Sequence, residues 1–356
     1  MSDLLTGPVE IVGAGLLGTS IGLACRRAGI EALLSDVSDE HIRTASGLAA
    51  GRPRRDDDRP QLVVVAVPPD YLGVEIVAAL RRTDAVVTDV GSIKSEPERV
   101  VKEQAPDLAE RYVGGHPMAG SERSGPLAAS AALFDGRPWA VTPHPGSPAG
   151  AVALVEELAA VCGAVSLRMT PFEHDQAVAR TSHLPHLLAV LVAGRLAGAP
   201  ASHLALSGQG VRDVTRVAWG DPALWQQIVT LNAGALHGLL AEVREELDVL
   251  QRAVTDGDRT VLGELLARGV AGTHAIPGKH GGPARATRSV FVSVPDHPGE
   301  LARLFADAGT SGVNIEDVHI DHDPGRPVGL VELVVEEARA EHLLGSLESQ
   351  GWVTHR

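Results

Sequence analysis

A histidine precedes a proline in Gly115-His116-Pro117-Met118-Ala119-Gly120-Ser121-Glu122, and a serine sits inside Asp89-Val90-Gly91-Ser92-Ile93-Lys94. Both segments follow short apolar runs that read as strands, and open α/β sheets bind ligands beyond the carboxyl ends of their strands. His116 is therefore a candidate general base, because an imidazole with an unperturbed pKa of about 6.5 can receive a hydroxyl proton at neutral pH. Ser92 is placed to orient that imidazole or to hydrogen-bond the same hydroxyl. A guanidinium clamp for a carboxylate is the natural complement. Arg216, in Gly210-Val211-Arg212-Asp213-Val214-Thr215-Arg216 ahead of Asp221-Pro222-Ala223-Leu224-Trp225, is the candidate, with Arg212 a surface or ion-pair residue. In Arg180-Thr181-Ser182-His183-Leu184-Pro185-His186 a helix would put both histidines on one side. They read as polar groups reaching into a cleft, since a third metal ligand at convincing spacing is missing.

A nucleotide site precedes these groups. The strand Val9–Val12 runs into Gly13-Ala14-Gly15-Leu16-Leu17-Gly18, which opens a helix, and Asp36 follows at the end of the next strand. Gly13 permits a tight turn, Gly15 lets backbone approach a pyrophosphate at the helix N-terminus, and Gly18 allows close helix–strand packing. A carboxylate at Asp36 would accept hydrogen bonds from the adenosine ribose and repel a 2′-phosphate, which predicts NAD rather than NADP. The run Val63–Pro69 fits a third strand that ends against the cofactor at Val67 and Pro68.

The elements that must position these residues follow from periodicity. Strands are expected at Val9–Val12, Ala32–Asp36, Leu62–Ala66, Val86–Asp89, Arg111–Gly115, Trp139–Thr142 and Ala164–Arg168. Helices are expected at Leu16–Ala28, Tyr71–Leu80, Ser95–Gln104 and Ala151–Val161, and Gly51–Pro60 reads as a solvated loop. Such alternation predicts a parallel, doubly wound sheet covered by helices, a Rossmann-type domain over 1–170. From 171 to 273 strand signals vanish. A single long helix is expected from Leu224 to Val254, too apolar for one face, so this domain is expected to pair with a second copy in a homodimer. Residues 274–288 read as a Gly/Pro-rich linker. Within 289–356 the order βαββαβ predicts a ferredoxin-like unit.

Composition bounds the rest. A formal charge of −14 over 356 residues argues against a nucleic-acid partner. No apolar run reaches the roughly 18 residues of a membrane span, and no signal peptide is legible, so a cytoplasmic protein is expected. Cys25 and Cys162 sit in apolar helical patterns and read as buried free thiols, not as a disulfide or metal site.

Taken together, GAGLLG, DVGSIK, GHPMAGSE, SHLPH and VRDVTR followed by DPALW resemble, in this order, the prephenate/arogenate dehydrogenase family of tyrosine biosynthesis. The resemblance spans Val9 to Asn232 and departs at Val211, where the family often has an aromatic residue. It implies oxidative decarboxylation of prephenate, or of arogenate, with NAD as oxidant. His116 would receive the hydroxyl proton, Ser92 would assist, and Arg216 would hold a carboxylate. Ser121, Glu122, Ser182, His183, His186 and Trp225 would line the substrate pocket, with His186 favouring the keto acid prephenate. The segment 289–354 resembles an ACT domain through Val294-Pro295-Asp296-His297-Pro298-Gly299-Glu300-Leu301 and Gly312-Val313-Asn314-Ile315. That implies an amino-acid effector such as tyrosine near Asp296, Gly299, Asn314 and Ile315; a purely structural dimerisation unit is the alternative. A β-hydroxyacid dehydrogenase is disfavoured, because its lysine from the helical domain has no counterpart: the lysines are Lys94, Lys102 and Lys279. A non-catalytic NAD-binding sensor is disfavoured by the intact set of His116, Ser92 and Arg216.

Overall fold

The computed structural model describes residues 4–120, 123–276, 286–322 and 328–355. They form two compact units, Met1–Glu246 and Leu247–Arg356. In the first, β1 (Val9–Val12), β2 (Ala32–Ser35), β3 (Arg52–Pro53), β4 (Leu62–Val65) and β5 (Val86–Asp89) make a parallel sheet in the order β3-β2-β1-β4-β5. The helices α1 (Leu16–Arg27), α2 (Asp39–Gly47), α3 (Pro69–Arg82) and α4 (Ser95–Gln104) connect and cover it. β1 and β4 are nearly continuous apolar runs because both faces are covered. One face packs Ile11, Leu34, Val64 and Ile21, the other Val63, Val65, Leu72, Ile76 and Val87.

Three expectations for this region need correction. The strand expected at Arg111–Gly115 starts later, as β6 (Gly114–Pro117), and Pro106–Arg111 is a 3₁₀ helix. Arg111 ends that helix by donating to the carbonyls of Leu80, Thr83 and Ala85, so its side chain is spent on a neighbouring loop and helix end. The sheet is also not uniformly parallel. β6, β7 (Pro138–Thr142) and β8 (Val165–Arg168) form a separate three-stranded sheet, with β6 antiparallel to β7 and β7 parallel to β8 around α5 (Ala149–Val161). The expected loop 51–60 contains the two-residue edge strand β3, where Arg52 pairs with Asp58.

Helices follow: α6 (Pro171–Val178), a π-helical turn at Ala179–His183, α7 (Leu184–Leu196), α8 (Ala201–Leu204), α9 (Gln209–Arg216), α10 (Pro222–Leu231), α11 (Ala233–Asp256) and α12 (Arg259–His274). A capping box starts α6: Thr170 Oγ1 accepts from the Glu173 N–H while Glu173 accepts from the Thr170 N–H. Pro185, in the first turn of α7, has no N–H for the Thr181 carbonyl, so the regular helical ladder is interrupted there. The expected helix Leu224–Val254 is two helices. Asn232 breaks it, because its side-chain amide is turned onto the Asp175 carbonyl and the His183 ring.

The second unit holds β9 (Thr287–Pro295), α13 (Glu300–Thr310), β10 (Ile315–His322), β11 (Val328–Glu336), α14 (Glu337–Ser349) and β12 (Val353–His355). Its antiparallel sheet runs β10-β11-β9-β12, the ferredoxin-like order expected, over a core of Val290, Val292, Leu304, Val331, Leu333, Leu343 and Leu347. Most of the expected linker, 277–285, lies outside the described residues. Cys25 and Cys162 are buried free thiols. No helix is long and apolar enough to cross a membrane, and no metal-holding cluster occurs among the described residues.

Candidate active site

A cleft of about 1220 Å³ runs along the carboxyl ends of β1, β4, β5 and β6. That exceeds the roughly 300–1000 Å³ of an ordinary small-molecule site and leaves room for a dinucleotide beside a second ligand. One end is lined by Gly13, Gly15, Leu16, Leu17, Asp36, Val67 and Pro68. Gly13 sits at φ +105°, and a Cβ there would lie 2.3 Å from the Ala66 carbonyl oxygen. A Cβ on Gly18 would lie 1.9 Å from the Gly13 carbonyl oxygen, so this residue is what lets α1 lie against the turn. A Cβ on Gly15 would meet nothing within 4 Å, and no side chain caps α1. Open space therefore faces the N–H groups that suit a pyrophosphate. Asp36 accepts from the N–H groups of Ala14 (2.6 Å) and Ser38 (2.7 Å), which holds its carboxylate at the tip of β2. These residues fit the dinucleotide expected from the sequence, with Ala14 and Gly18 acting from behind the wall.

The other end is lined by Ser92, His116, Met118, Arg123, Ser182, His183 and Trp225. His116 is half-buried on β6, and its Nδ1 lies 2.8 Å from Nε2 of His174 on α6. His174, 1% exposed, places its Nδ1 2.8 Å from Oδ1 of Asp175. Asp175 in turn accepts from the backbone N–H groups of Lys94 (2.9 Å) and Ser95 (2.8 Å), at the start of α4. Burial, reinforced by His174, Lys94 and His183, holds the His116 imidazole well below its ordinary pKa. It is neutral at physiological pH. Behind it, the fully buried Lys94 ammonium pairs with Asp89 and donates to the Gly115 carbonyl at 2.7 Å. Asp89 also accepts from Tyr112 Oη at 2.9 Å. This cluster ties the residue before His116 to the end of β5.

His183 and His186 both contact Trp225: His186 stacks on the indole at 3.4 Å and 6°, His183 meets it edge-on at 6.0 Å. Asn232 Nδ2 donates to the Asp175 carbonyl (2.9 Å) and to His183 Nδ1 (3.1 Å). The His183 proton therefore sits on Nε2. Burial pushes His183 down to about 4.

The structure thus brings Ser92, His116, Ser182, His183 and Trp225 to one cleft with the nucleotide turn. It does not bring the others. His186 lies behind Trp225 and is not part of the cleft wall. Arg216, at the end of α9, is exposed and likewise outside that wall. Ser121 and Glu122 fall outside the described residues. The partner of the His116 ring is His174, where Ser92 had been the candidate for orienting it. Four residues escaped the sequence reading: His174, Asp175, Asn232 and the cleft-lining Arg123. An adjacent His-Asp pair just after a Thr-Pro-x-Glu capping signal was the available clue for the first two.

Comparison with known proteins agrees with this geometry. The family described as prephenate dehydrogenase, nucleotide-binding domain, matches residues 21–168, and that described as prephenate dehydrogenase, dimerization domain, matches residues 170–268. A Streptomyces niveus protein named "Probable prephenate dehydrogenase NovF" is 37% identical over 354 residues, 96% of this chain and 98% of its own. The prephenate dehydrogenase of Bacillus subtilis is 29% identical over 327 residues, 88% of this chain and 87% of its own. The crystal structure of the Aquifex aeolicus prephenate dehydrogenase in complex with hydroxyphenyl propionate and NAD+ matches with a TM-score of 0.70 at 26% identity, covering 77% of this chain and 100% of that one. By sequence and by fold alike, the chain belongs to the prephenate dehydrogenase family of NAD-dependent oxidoreductases.

Proposed function

We propose that the chain is a cytoplasmic prephenate dehydrogenase, converting prephenate to 4-hydroxyphenylpyruvate and CO₂ as NAD⁺ becomes NADH. The observation that carries this reading is a neutral histidine, His116, in one continuous cleft with the nucleotide turn. The turn at Gly13–Gly18 and Asp36 would hold the cofactor. Bound NAD would accept the hydride from the ring carbon that bears the hydroxyl. His116 takes the hydroxyl proton, Ser92 hydrogen-bonds the same oxygen, and the His183 Nε2–H offers a donor to the substrate. Loss of the ring carboxylate as CO₂ then makes the ring aromatic, so the protein has one proton to move and one geometry to hold.

Arg123 lines the cleft and supplies a guanidinium for a carboxylate. Arg216 supplies a second in the homodimer. Support for the dimer is the matched dimerization domain and the exposure of Leu191, Leu206, Val214 and Trp219. Arg216→Ala then raises KM more than it lowers kcat, and an unchanged KM removes the clamp. In the ferredoxin-like unit, Gly299 at φ +96° opens α13 and Asn314 Nδ2 donates to Glu316. Together with Asp296 and Ile315 this corner is the proposed tyrosine site, and kinetics insensitive to added tyrosine would remove it.

The deciding experiment is NADH formation with prephenate and arogenate side by side. The larger kcat/KM belongs to prephenate. His116→Asn lowers kcat by about 10²–10⁴, the size of a general-base contribution, and near-normal turnover would strip His116 of its role.

A further inference from the structure

We infer that His174, backed by Asp175, is the positioning group that sets the tautomer of His116, placing the ring proton on Nδ1 and leaving Nε2 as the basic nitrogen. The inference rests on His116 being the base, as proposed above, and adds which of its nitrogens acts and what makes it so.

Hydrogen-bond roles along the chain of three side chains leave one consistent assignment. Asp175 is the fixed end. Its oxygens accept from two backbone N–H groups, those of Lys94 and Ser95, at the positive end of α4. Those contacts and its bond to His174 hold the carboxyl below its usual range, so it is an acceptor at neutral pH. The 2.8 Å contact to His174 must then be donated by His174 Nδ1–H. Burial holds His174 below its ordinary pKa, so the ring is neutral and its Nε2 carries a lone pair. That nitrogen lies 2.8 Å from His116 Nδ1, with the two rings at 68° to each other. Two lone pairs cannot face each other at that distance, so His116 Nδ1 carries the proton and donates. The neutral His116 ring has a single N–H, and its Nε2 is left with the lone pair.

The arrangement also suits the charge that appears during reaction. When His116 Nε2 takes a proton, the ring becomes a cation whose Nδ1–H already points at His174. The Asp175 carboxylate lies on the far side of the His174 ring. The same relation of base, orienting group and buried carboxylate raises the efficiency of a histidine base wherever the wrong tautomer would otherwise compete. His174 touches neither cleft nor substrate and acts wholly through His116; it is 1% exposed and is not part of the cleft wall. Asn232 performs the matching service for the other cleft histidine, since its amide fixes His183 with the proton on Nε2.

The test reads the tautomer directly. Long-range ¹H–¹⁵N spectra of the full chain labelled with ¹⁵N-histidine, with His116 assigned by its loss in His116→Asn, should show protonated Nδ1 and bare Nε2 in the unsubstituted protein. In His174→Phe, which fills the space without an acceptor, the proton should move to Nε2. Turnover should fall by about 10²-fold, the lower end of a general-base contribution, with little change in the KM for prephenate. His174→Gln, whose side-chain oxygen can still accept from Nδ1–H, should restore the Nδ1 tautomer and most of the turnover. A proton found on Nε2 of His116 in the unsubstituted protein overturns the inference without any variant. So does a folded His174→Phe protein with unchanged kcat. If instead His116→Asn keeps normal turnover, it is the assignment of the base that fails, whatever the spectra show.

Discussion

Replacing Lys94 with Met deletes an ammonium that is fully buried beside Asp89. Removing one member of a buried ion pair costs about 3–5 kcal/mol, because the survivor keeps its desolvation penalty without its counter-charge. Asp89 retains the Tyr112 hydroxyl at 2.9 Å, the Gly91 N–H at 2.9 Å and the Gly115 N–H at 3.4 Å. These donors place the expected loss at the low end, about 3 kcal/mol. The Gly115 carbonyl also loses its donor at 2.7 Å, which adds about 1 kcal/mol. The sum, about 4 kcal/mol, is a large part of the roughly 5–15 kcal/mol that holds a typical domain folded. Equilibrium urea unfolding at fixed protein concentration reads it as a fall in midpoint at unchanged slope. The double variant Asp89→Asn/Lys94→Met should recover much of the loss, since it leaves no unpaired charge. A single-variant loss under about 1 kcal/mol, the size of a surface ion pair, would refute the claim that this pair anchors the strand carrying His116.

Acid should unfold the protein through its buried histidines. Burial moves His183 from 6.5 to about 4, and His116, His174 and His186 move the same way. The folded state therefore prefers the neutral rings. Their contribution is intact above pH 6.5 and is lost as pH falls toward the folded value, about 3 kcal/mol for His183 alone between pH 6.5 and 4. Urea midpoints that stay flat across that window would contradict it. Asp36→Ser removes the carboxylate that accepts from Ala14 and Ser38, and should lower the preference for NAD over NADP in kcat/KM by about tenfold, or roughly 1.4 kcal/mol; an unchanged ratio would clear Asp36 of that role.

What was legible in the sequence is what local spacing encodes. The glycine turn, the strands that flank it and the βαββαβ order of the last segment each depend on neighbours within a dozen residues. The turn could be read because Gly13 and Gly18 are there for steric reasons that no other residue satisfies. Tertiary choices were not legible. Nothing in the periodicity of residues 224–254 announces that Asn232 spends its amide on Asp175 and His183 and so ends a helix. His174 lies 58 residues from the histidine it contacts, and its neighbour Asp175 reads locally as one more acidic residue of a short helix. Arg216 was identifiable as a guanidinium of the right kind, but its position depends on how α9 packs, and α9 leaves it exposed.

Asp175 also bears on how this protein can be cut. Its side chain belongs to the segment matched as the dimerization domain, yet the backbone amides that it satisfies begin a helix of the nucleotide-binding domain. A fragment ending near residue 170 would keep its glycine turn and its sheet, but the first turn of α4 would be left without an acceptor, beside Ser92 and Lys94. The smallest autonomous piece is accordingly expected to extend past the nucleotide-binding fold to include Asp175. Swapping either segment between relatives would demand that the joint be carried along with it.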